Sequence, residues 1–202
     1  GPSGSGKTTI LNLVNGLDRP TSGEVLYDGK NIYEMNDDEL ADMRLRHMGT
    51  VFQAYNLIPE LSVYENVVLP IKIAKRKANM QKVDHLLEQL GLIDRKNFMP
   101  DQLSGGQQQR VAIARAMIND PKILFCDEPT GNLDVEIGKA IVELLHNICE
   151  SGSSVVMTTH NLQLLKDYPG RVYRCADHQI VDVTDEYMPL SLIHISEPTR
   201  RS

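Results

Sequence analysis

Glycines, a lysine and four hydroxyl side chains stand together in the stretch GPSGSGKTT, at a spacing suited to phosphate chemistry. Gly1, Gly6, Lys7 and Thr8 fit the pattern G-x-x-x-x-G-K-[ST]. The glycines let several backbone N–H groups face one anion, while the lysine reaches the β- and γ-phosphates and the hydroxyl can ligate Mg²⁺. We predict a helix over residues 8–15, with its positive dipole end against the phosphates. Since such a loop normally follows a buried strand, we expect the chain to be truncated at its N-terminus.

Two adjacent acids close the apolar stretch ILFCDE at residues 123–128. If this stretch is a buried strand, Asp127 lies where a second carboxylate of the Mg²⁺ shell is needed. Glu128 lies beside it and can polarise a water that attacks the γ-phosphate. A solvated strand end is the alternative, but it leaves unexplained why the preceding run is so apolar and why Pro129 turns the chain at once.

The motif LSGGQ at residues 103–107 directly precedes a predicted helix. Ser104, Gly105 and Gly106 at a helix N-terminus would form a second anion-binding nest. One ATP does not need two such nests from a single chain. The pattern therefore implies a head-to-tail dimer.

Strands and helices alternate along most of the chain, which implies an α/β fold with a mostly parallel sheet. In such sheets ligands bind at the carboxyl ends of the strands, where the sequence places Gln53, Asp127, Glu128 and His160. We predict a hairpin over 24–33 around Asp28-Gly29, helices over 36–46, 106–120 and 137–148, buried strands over 48–53, 122–129 and 154–160, and a terminal ribbon over 171–175 and 179–183.

The stretch from residue 54 to 102 differs in character from the rest. Val83, Leu86, Leu87 and Leu90 lie on one face of a predicted helix that ends at Gly91. We therefore predict a helical insertion in the α/β core.

Composition excludes several classes of protein. The chain has 202 residues, of which 41% are hydrophobic and 24% charged, as expected for one α/β domain. No apolar run approaches the roughly 18 residues of a membrane span. The net charge of −6 argues against a broad nucleic-acid surface, and we interpret the one basic stretch, residues 72–82, as a solvated helix face. Cys126, Cys149 and Cys175 lack a metal-ligand pattern, which favours reduced thiols.

The motifs resemble, in type and in order, those of the nucleotide-binding subunits of ABC-type ATPases, and the resemblance covers residues 1–187. GPSGSGKT resembles the Walker A loop, LSGGQ the signature, and ILFCDE the Walker B strand with its glutamate. Gln53 matches the Q-loop glutamine, Asp134 ends the D-loop GNLD, and His160 matches the switch histidine.

This resemblance implies the ABC ATPase fold, a P-loop core with a mostly parallel sheet, an antiparallel β ribbon and an inserted helical subdomain. It implies one domain over 1–187, with the core at 1–53 and 106–187 and the helical subdomain at about 54–105. It also implies a homodimer that holds ATP between the Walker A loop of one protomer and the signature of the other.

The family's functional residues transfer to matching positions. The resemblance makes Glu128 the general base, places His160 against the γ-phosphate, and gives Gln53 and Asp127, with Thr8, the Mg²⁺ and water shell. The residues expected to bind ATP are Gly1, Pro2, Ser3, Gly4, Ser5, Gly6, Lys7, Thr8, Thr9, Ser104, Gly105, Gly106, Gln107 and Asp134.

Two longer stretches, VFQAYNLIPELSVYENVVLP and DEPTGNLD, resemble the group of lipoprotein-release (LolD), MacB-type efflux and FtsE-type cell-division ATPases. The resemblance implies a location on the cytoplasmic face of the inner membrane, held by a permease-type subunit of the LolC/E, MacB or FtsX kind. That subunit would contact the helical insertion near residues 53–65.

Two other functions stay open from the sequence. A soluble ABC ATPase of repair, translation or cofactor assembly would share the same motifs, whereas a P-loop kinase would leave LSGGQ unexplained. The final stretch SLIHISEPTRRS continues no pattern, and we interpret residues 188–202 as a non-native or disordered tail.

Overall fold

The computed structural model describes residues 4–187, so Gly1, Pro2, Ser3 and the predicted tail lie outside the described residues. One compact unit is Thr8–Thr159, and residues 4–7 with 160–187 form another. The elements are α1 (Lys7–Val14), β1 (Leu26–Tyr27), β2 (Lys30–Asn31), α2 (Asp37–His47), β3 (Met48–Val51), α3 (Val63–Ile73), α4 (Met80–Gln89), α5 (Gly105–Met117), β4 (Ile123–Asp127), α6 (Val135–Glu150), β5 (Ser154–Thr158), α7 (Leu162–Asp167), β6 (Tyr173–Ala176), β7 (Gln179–Asp182) and α8 (Thr184–Tyr187), with 3₁₀ helices at Ile32–Glu34, Ile93–Arg95 and Pro100–Gln102.

A parallel sheet in the order β3-β4-β5 runs through the larger unit. Val51, Leu124 and Cys126 on these strands are fully buried, as their apolar runs predicted. They pack with Ile113 of α5 and Ile141 of α6, so that helices cover the sheet. The prediction of a parallel sheet is confirmed.

All three strands end two residues earlier than predicted. β3 ends at Val51 and β5 at Thr158, so Gln53 and His160 each follow their strand by two residues. Asp127 is the last residue of β4, and Glu128 is the first residue beyond it. The sequence does not reveal these strand ends, because the same types of polar residue occur within a hydrogen-bonded strand and just beyond it.

The β1-β2 hairpin confirms the Asp-Gly turn. Leu26 pairs with Asn31 and Tyr27 with Lys30. Asp28 has φ +48° and Gly29 has φ +77°, as a two-residue turn between twisted strands requires. Beside this hairpin, Ile32, Leu40 and Met43 form a small apolar cluster with α2.

The predicted helical insertion contains α3 and α4, which share a core with α5. Val67 of α3, Leu87 of α4 and Val111 of α5 are fully buried in this core. α3 begins with a capping box, in which the Ser62 hydroxyl accepts from the Glu65 N–H while the Glu65 carboxylate accepts from the Ser62 N–H. The apolar face predicted for α4 is also confirmed, because Val83, Leu87 and Leu90 are buried in this core.

One buried amide fixes the loop before α3. The Asn66 side chain is fully shielded from solvent. Its oxygen accepts from the Ile58 N–H at 2.8 Å, and its nitrogen donates to the carbonyls of Ile58, Leu61 and Ser62 at 2.8 to 3.1 Å. A loop without regular structure is thus held by a single side chain.

The smaller unit contains the β6-β7 ribbon, which confirms the predicted terminal ribbon. Cys175 of β6 is buried, and its thiol donates to the Ser5 carbonyl at 2.8 Å. The ribbon therefore contacts the phosphate loop within this unit. Across residues 4–187, every helix is too short or too polar to cross a bilayer.

Candidate nucleotide site

The described part of the phosphate loop turns through two glycines with left-handed backbone. Gly4 has φ +79° and Gly6 has φ +88°, and a Cβ on either would meet no heavy atom of the described chain beyond its neighbours within 4 Å. Conformation rather than space demands glycine here, because left-handed φ costs other residues about 1–2 kcal/mol. The Ser5 hydroxyl is buried and has no hydrogen-bond partner among the described residues. A buried orphan of this kind suits a loop that takes a polar ligand.

Lys7 begins α1, one residue before the predicted start, and Thr8 and the exposed Thr9 follow in the same turn. The first turn of α1 carries no acidic side chain. A helix start without acidic residues of its own suits an anion.

Thr8 and Asp127 meet although they are far apart in sequence. The Thr8 hydroxyl lies 2.9 and 3.1 Å from the two carboxylate oxygens of Asp127. The Thr158 hydroxyl, at the end of β5, donates to Asp127 Oδ1 at 2.6 Å. Hydroxyl and carboxylate oxygens are the hard ligands that Mg²⁺ prefers, so these residues fit the ion.

Glu128 follows directly in a left-handed conformation, with φ +43°. Its N–H donates to Thr158 Oγ1 at 3.0 Å, and its carbonyl accepts from the Gly131 N–H at 2.9 Å. Thr158 thus contacts both acids, accepting from the backbone of Glu128 while donating to the side chain of Asp127. The two acids are fixed relative to each other by one hydroxyl.

Gln53 lies against the loop that follows Glu128. Its amide nitrogen is 3.4 Å from Asn132 Oδ1, and the Asn132 amide donates to the Gln53 carbonyl at 3.0 Å. A Cβ on Gly131 would lie 2.6 Å from Gln53 Nε2, so glycine allows Gln53 to approach in this conformation. The structure therefore brings Gln53 to the D-loop stretch, while Asp127 is bonded to Thr8 and Thr158.

Ser104 caps α5 in the predicted signature. Its hydroxyl accepts from the Gln107 N–H at 3.4 Å, and Gln107 Oε1 accepts from the Ser104 N–H at 2.9 Å. The first turn carries no acid. A Cβ on Gly106 would lie 2.5 Å from Ile137 Cγ2, and one on Gly105 would lie 3.1 Å from the Tyr55 hydroxyl. These glycines allow close packing, unlike those of the phosphate loop.

α5 also binds two of the loops that surround the site. The fully buried Gln109 donates to the Pro129 carbonyl at 2.8 Å, directly after Glu128. Arg115 donates to the carbonyls of Tyr55 and Asn56 at 2.8 and 2.6 Å, and burial lowers its pKa. Tyr55 and Asn56 have φ of +61° and +50°. The guanidinium thus holds two strained residues that closely follow Gln53.

Two further candidates are Asp134 and His160. The Asp134 carboxylate caps α6 by accepting from the Ile137 N–H at 2.9 Å. His160 is exposed and belongs to the smaller unit.

Sequence reasoning missed Thr158, Asn132 and Gln109. Thr158 ends a strand beside the acids, which is the one signal that could have singled it out. Arg115 and Gln109 donate to backbone carbonyls. Every residue has such a carbonyl, so the sequence does not indicate these partners. The functional roles of all these residues are proposals.

The fold and this geometry define an ATP-binding α/β cassette. The family model described as ABC transporter matches residues 1–131. An ABC transporter ATP-binding protein of Thermotoga maritima is 50% identical over 169 residues, which cover 83% of this chain and 72% of that protein. The lipoprotein-releasing system ATP-binding protein LolD of Bdellovibrio bacteriovorus is 45% identical over 182 residues, or 89% of this chain and 82% of its own length.

A solved dimeric ABC transporter cassette, MJ0796, is 42% identical and superposes with a TM-score of 0.78 over 89% of this chain and 80% of that one. The same cassette has been solved in a post-hydrolysis state bound to ADP and Pi, with 41% identity. The chain belongs to the ABC transporter family and is an ATPase of the ATP-binding cassette type. The predicted ABC ATPase fold is thereby confirmed.

Proposed function

We propose that two copies of this chain close around two ATP molecules and reopen after hydrolysis, and that this cycle drives a membrane subunit of the lipoprotein-release, MacB-type or FtsE-type group. The observation that carries the proposal is the Thr8–Asp127–Thr158 network beside Glu128. It sets a hydroxyl and two acids at the carboxyl end of a parallel sheet, where such folds bind ligands.

In this proposal Lys7 and the backbone N–H groups of the phosphate loop hold the phosphates. Thr8, Asp127 and Gln53 would hold Mg²⁺, which when bound neutralises phosphate charge. Glu128 accepts a proton from the attacking water. Its left-handed backbone, bonded to Thr158, sets the direction in which the side chain leaves the main chain. His160 contacts the γ-phosphate.

The signature supplies the second half of each site. Ser104, Gly105, Gly106 and Gln107 at the neutral end of α5 would contact the γ-phosphate of the other protomer, near Asp134. ATP then binds the closed dimer more tightly than the open monomers, so it shifts the population towards closure. The dimeric cassette at 42% identity supports this arrangement.

The membrane subunit would contact the segment from Gln53 to Glu65, and its grip would place the chain at the cytoplasmic face of the inner membrane. Arg115 and Asn66 fix this segment from two sides. Replacing residues 55–57 with charged residues should uncouple transport from ATP binding, and unchanged binding of the membrane subunit would count against this contact.

The decisive experiment is light scattering of eluted protein with ATP and Mg²⁺, comparing Glu128→Gln with the parent chain. We expect a stable dimer in Glu128→Gln alone, because it binds ATP but cannot hydrolyse it. Glu128→Gln carrying Lys7→Ala is the control and should stay monomeric. A monomer in every sample would overturn ATP-driven closure by this chain.

A further inference from the structure

The turn between α3 and α4 concentrates positive charge on an acidic chain. Lys72, Lys75, Arg76 and Lys77 are all exposed, and we call residues 72–77 the basic turn. The chain as a whole has 21 basic and 27 acidic residues. The basic turn is therefore a local concentration of positive charge on a chain whose net charge is negative.

Nearby basic side chains are paired with carboxylates, whereas, across residues 4–187, three of the four basic residues of the basic turn are not. Lys82 pairs with Asp120 at 2.5 Å, and Lys96 pairs with Asp84 at 2.9 Å. Hydrogen bonds from Ser62 lower the pKa of Glu65 most, and the charge of Lys72 lowers it further. Within the described residues no carboxylate lies within 4.0 Å of the charged groups of the three that remain, Lys75, Arg76 and Lys77. These three positive charges are therefore exposed to solvent without a paired carboxylate among the described residues.

Two large apolar side chains flank these charges. Ile73 is 65% exposed before them and Met80 is 48% exposed after them. A basic cluster beside exposed apolar groups is typical of surfaces that lie at the boundary between lipid headgroups and acyl chains. Exposing Ile73 and Met80 to water alone would not stabilise the protein, because burial of apolar surface is what is favourable.

The backbone holds the basic turn in one shape. The Lys75 N–H donates to the Lys72 carbonyl at 2.9 Å, and the Arg76 N–H donates to the Ile71 carbonyl at 3.1 Å. Lys75 has φ +54°, the conformation that glycine takes most easily at a helix end. The chain therefore carries a cation at a position where glycine would be less strained.

We infer that the basic turn binds the headgroups of anionic phospholipids, with Ile73 and Met80 entering the interface. The charges of the turn match an anionic surface, and the exposed apolar pair favours lipid over an acidic protein segment. The inference goes beyond the proposed function, since the chain can bind lipid with or without a membrane subunit.

Cosedimentation of the full chain with vesicles tests this. We expect binding to phosphatidylcholine vesicles that contain about one third phosphatidylglycerol, little binding to phosphatidylcholine alone, and loss of binding as salt rises to about 0.5 M. The variant Lys75→Glu/Arg76→Glu/Lys77→Glu should bind about a hundredfold more weakly, since each cation near such a surface contributes about fivefold. Ile73→Ser/Met80→Ser should weaken binding by about tenfold.

The matched control reverses three exposed lysines elsewhere, as Lys30→Glu/Lys139→Glu/Lys166→Glu. It makes the same change in net charge and should retain binding within about threefold, because distant exposed charges are screened. ATPase activity shows that each variant is folded. Equal loss in both triple variants, or no binding by the parent, would overturn the inference. Binding to polyglutamate without binding to vesicles would overturn it in favour of an acidic protein partner.

Discussion

Helices α3 and α5 pack against each other and begin with the same hydrogen bonds, yet their first turns differ in charge. Each has a serine cap and a reciprocated capping box, but the third helical residue is Glu65 in α3 and Gln107 in α5. Glutamate neutralises part of the helix dipole, whereas glutamine completes the box without charge. Hydrogen bonding and charge at a helix start are therefore set separately, and only α5 is left suited to an anion.

The two helices also bind their preceding loops differently. α3 holds residues 58–62 through the neutral, fully buried Asn66. α5 reaches residues 55–56 through the cation Arg115, and its buried Gln109 reaches the residue after Glu128. α5 thus connects the signature to two segments of the candidate site, while α3 organises one loop.

The sharpest test gives α5 the charge of α3. Gln107→Glu preserves the capping box but puts an anion where the partner's γ-phosphate would lie. We expect ATP-dependent dimerisation, measured by light scattering in the Glu128→Gln background, to weaken by about a hundredfold or more. The stability of the monomer should rise slightly, by up to about 0.5 kcal/mol, because the new charge favours the helix start.

The reciprocal change, Glu65→Gln, is the control for this experiment. It gives α3 the neutral box of α5 and should leave the dimer unchanged. Equal weakening by both variants would show that the charge at α5 has no special role.

Packing at the start of α5 gives the next largest effect. Gly106→Ala brings a Cβ within 2.5 Å of Ile137 Cγ2 and should lower the free energy of unfolding by about 1–3 kcal/mol in urea titrations. Gly105→Ala meets only the far ends of two side chains, Tyr55 at 3.1 Å and Leu133 at 3.4 Å, and should lower the free energy of unfolding by less. Adding Ile137→Ala, which removes the obstructing methyl group, should make Gly106→Ala nearly harmless relative to Ile137→Ala alone. Simple additivity in this cycle would contradict the steric explanation.

The tie from α5 to residues 55–56 is tested by rescue. Arg115→Lys replaces the planar guanidinium, whose two nitrogens each bond one carbonyl, with a single ammonium that cannot hold both carbonyls in the same geometry. We therefore expect kcat for ATP to fall about tenfold while KM changes little. Asn56→Gly accepts φ +50° without strain and should restore part of that rate in the Arg115→Lys background. Asn56→Gly alone is the control and should act like the parent. Failure of the rescue would mean that Arg115 acts through something other than this backbone.

The smallest effect concerns pH. Hydrogen bonds from the Ser62 backbone and hydroxyl lower the pKa of Glu65 below its ordinary value. The stability that this carboxylate contributes is present above its unfolded pKa, near 4.5, and is lost as the pH falls through its folded pKa. Urea midpoints of the parent should therefore drop slightly more between pH 6 and about 3 than those of Glu65→Gln. If the urea midpoints of the two proteins fell equally with pH, the charge of Glu65 would not stabilise the start of α3.

Much of the fold was predictable from local patterns. The Asp28-Gly29 pair specified a hairpin because both residues tolerate positive φ, and the spacing of Val83 and Leu87 specified the buried face of α4. Apolar runs gave the three parallel strands, although β3 and β5 end before Gln53 and His160. Strand ends depend on ladder pairing with neighbours, which residue types along one strand do not encode.

The candidate site was predictable only where a motif carried it. Thr8 and Asp127 were expected to share one ion, and the structure brings them together. The partners of Arg115, Gln109 and Gln53 were not foreseeable, because each binds main-chain atoms or a residue from a distant loop. The position of Thr158 at a strand end was its one signal in the sequence, and its contacts with the two acids arise only when β4 and β5 pair.

The amide of Asn66 has a consequence for how the preceding loop meets another protein. A segment that already has one conformation loses little chain entropy when it is captured, so its contacts translate more fully into affinity. With the Ile58 N–H bonded inside the protein, hydrogen exchange at this position should be slow for an irregular loop and should accelerate sharply in Asn66→Ala. The loop from 58 to 62 thus behaves as a rigid epitope built by one side chain.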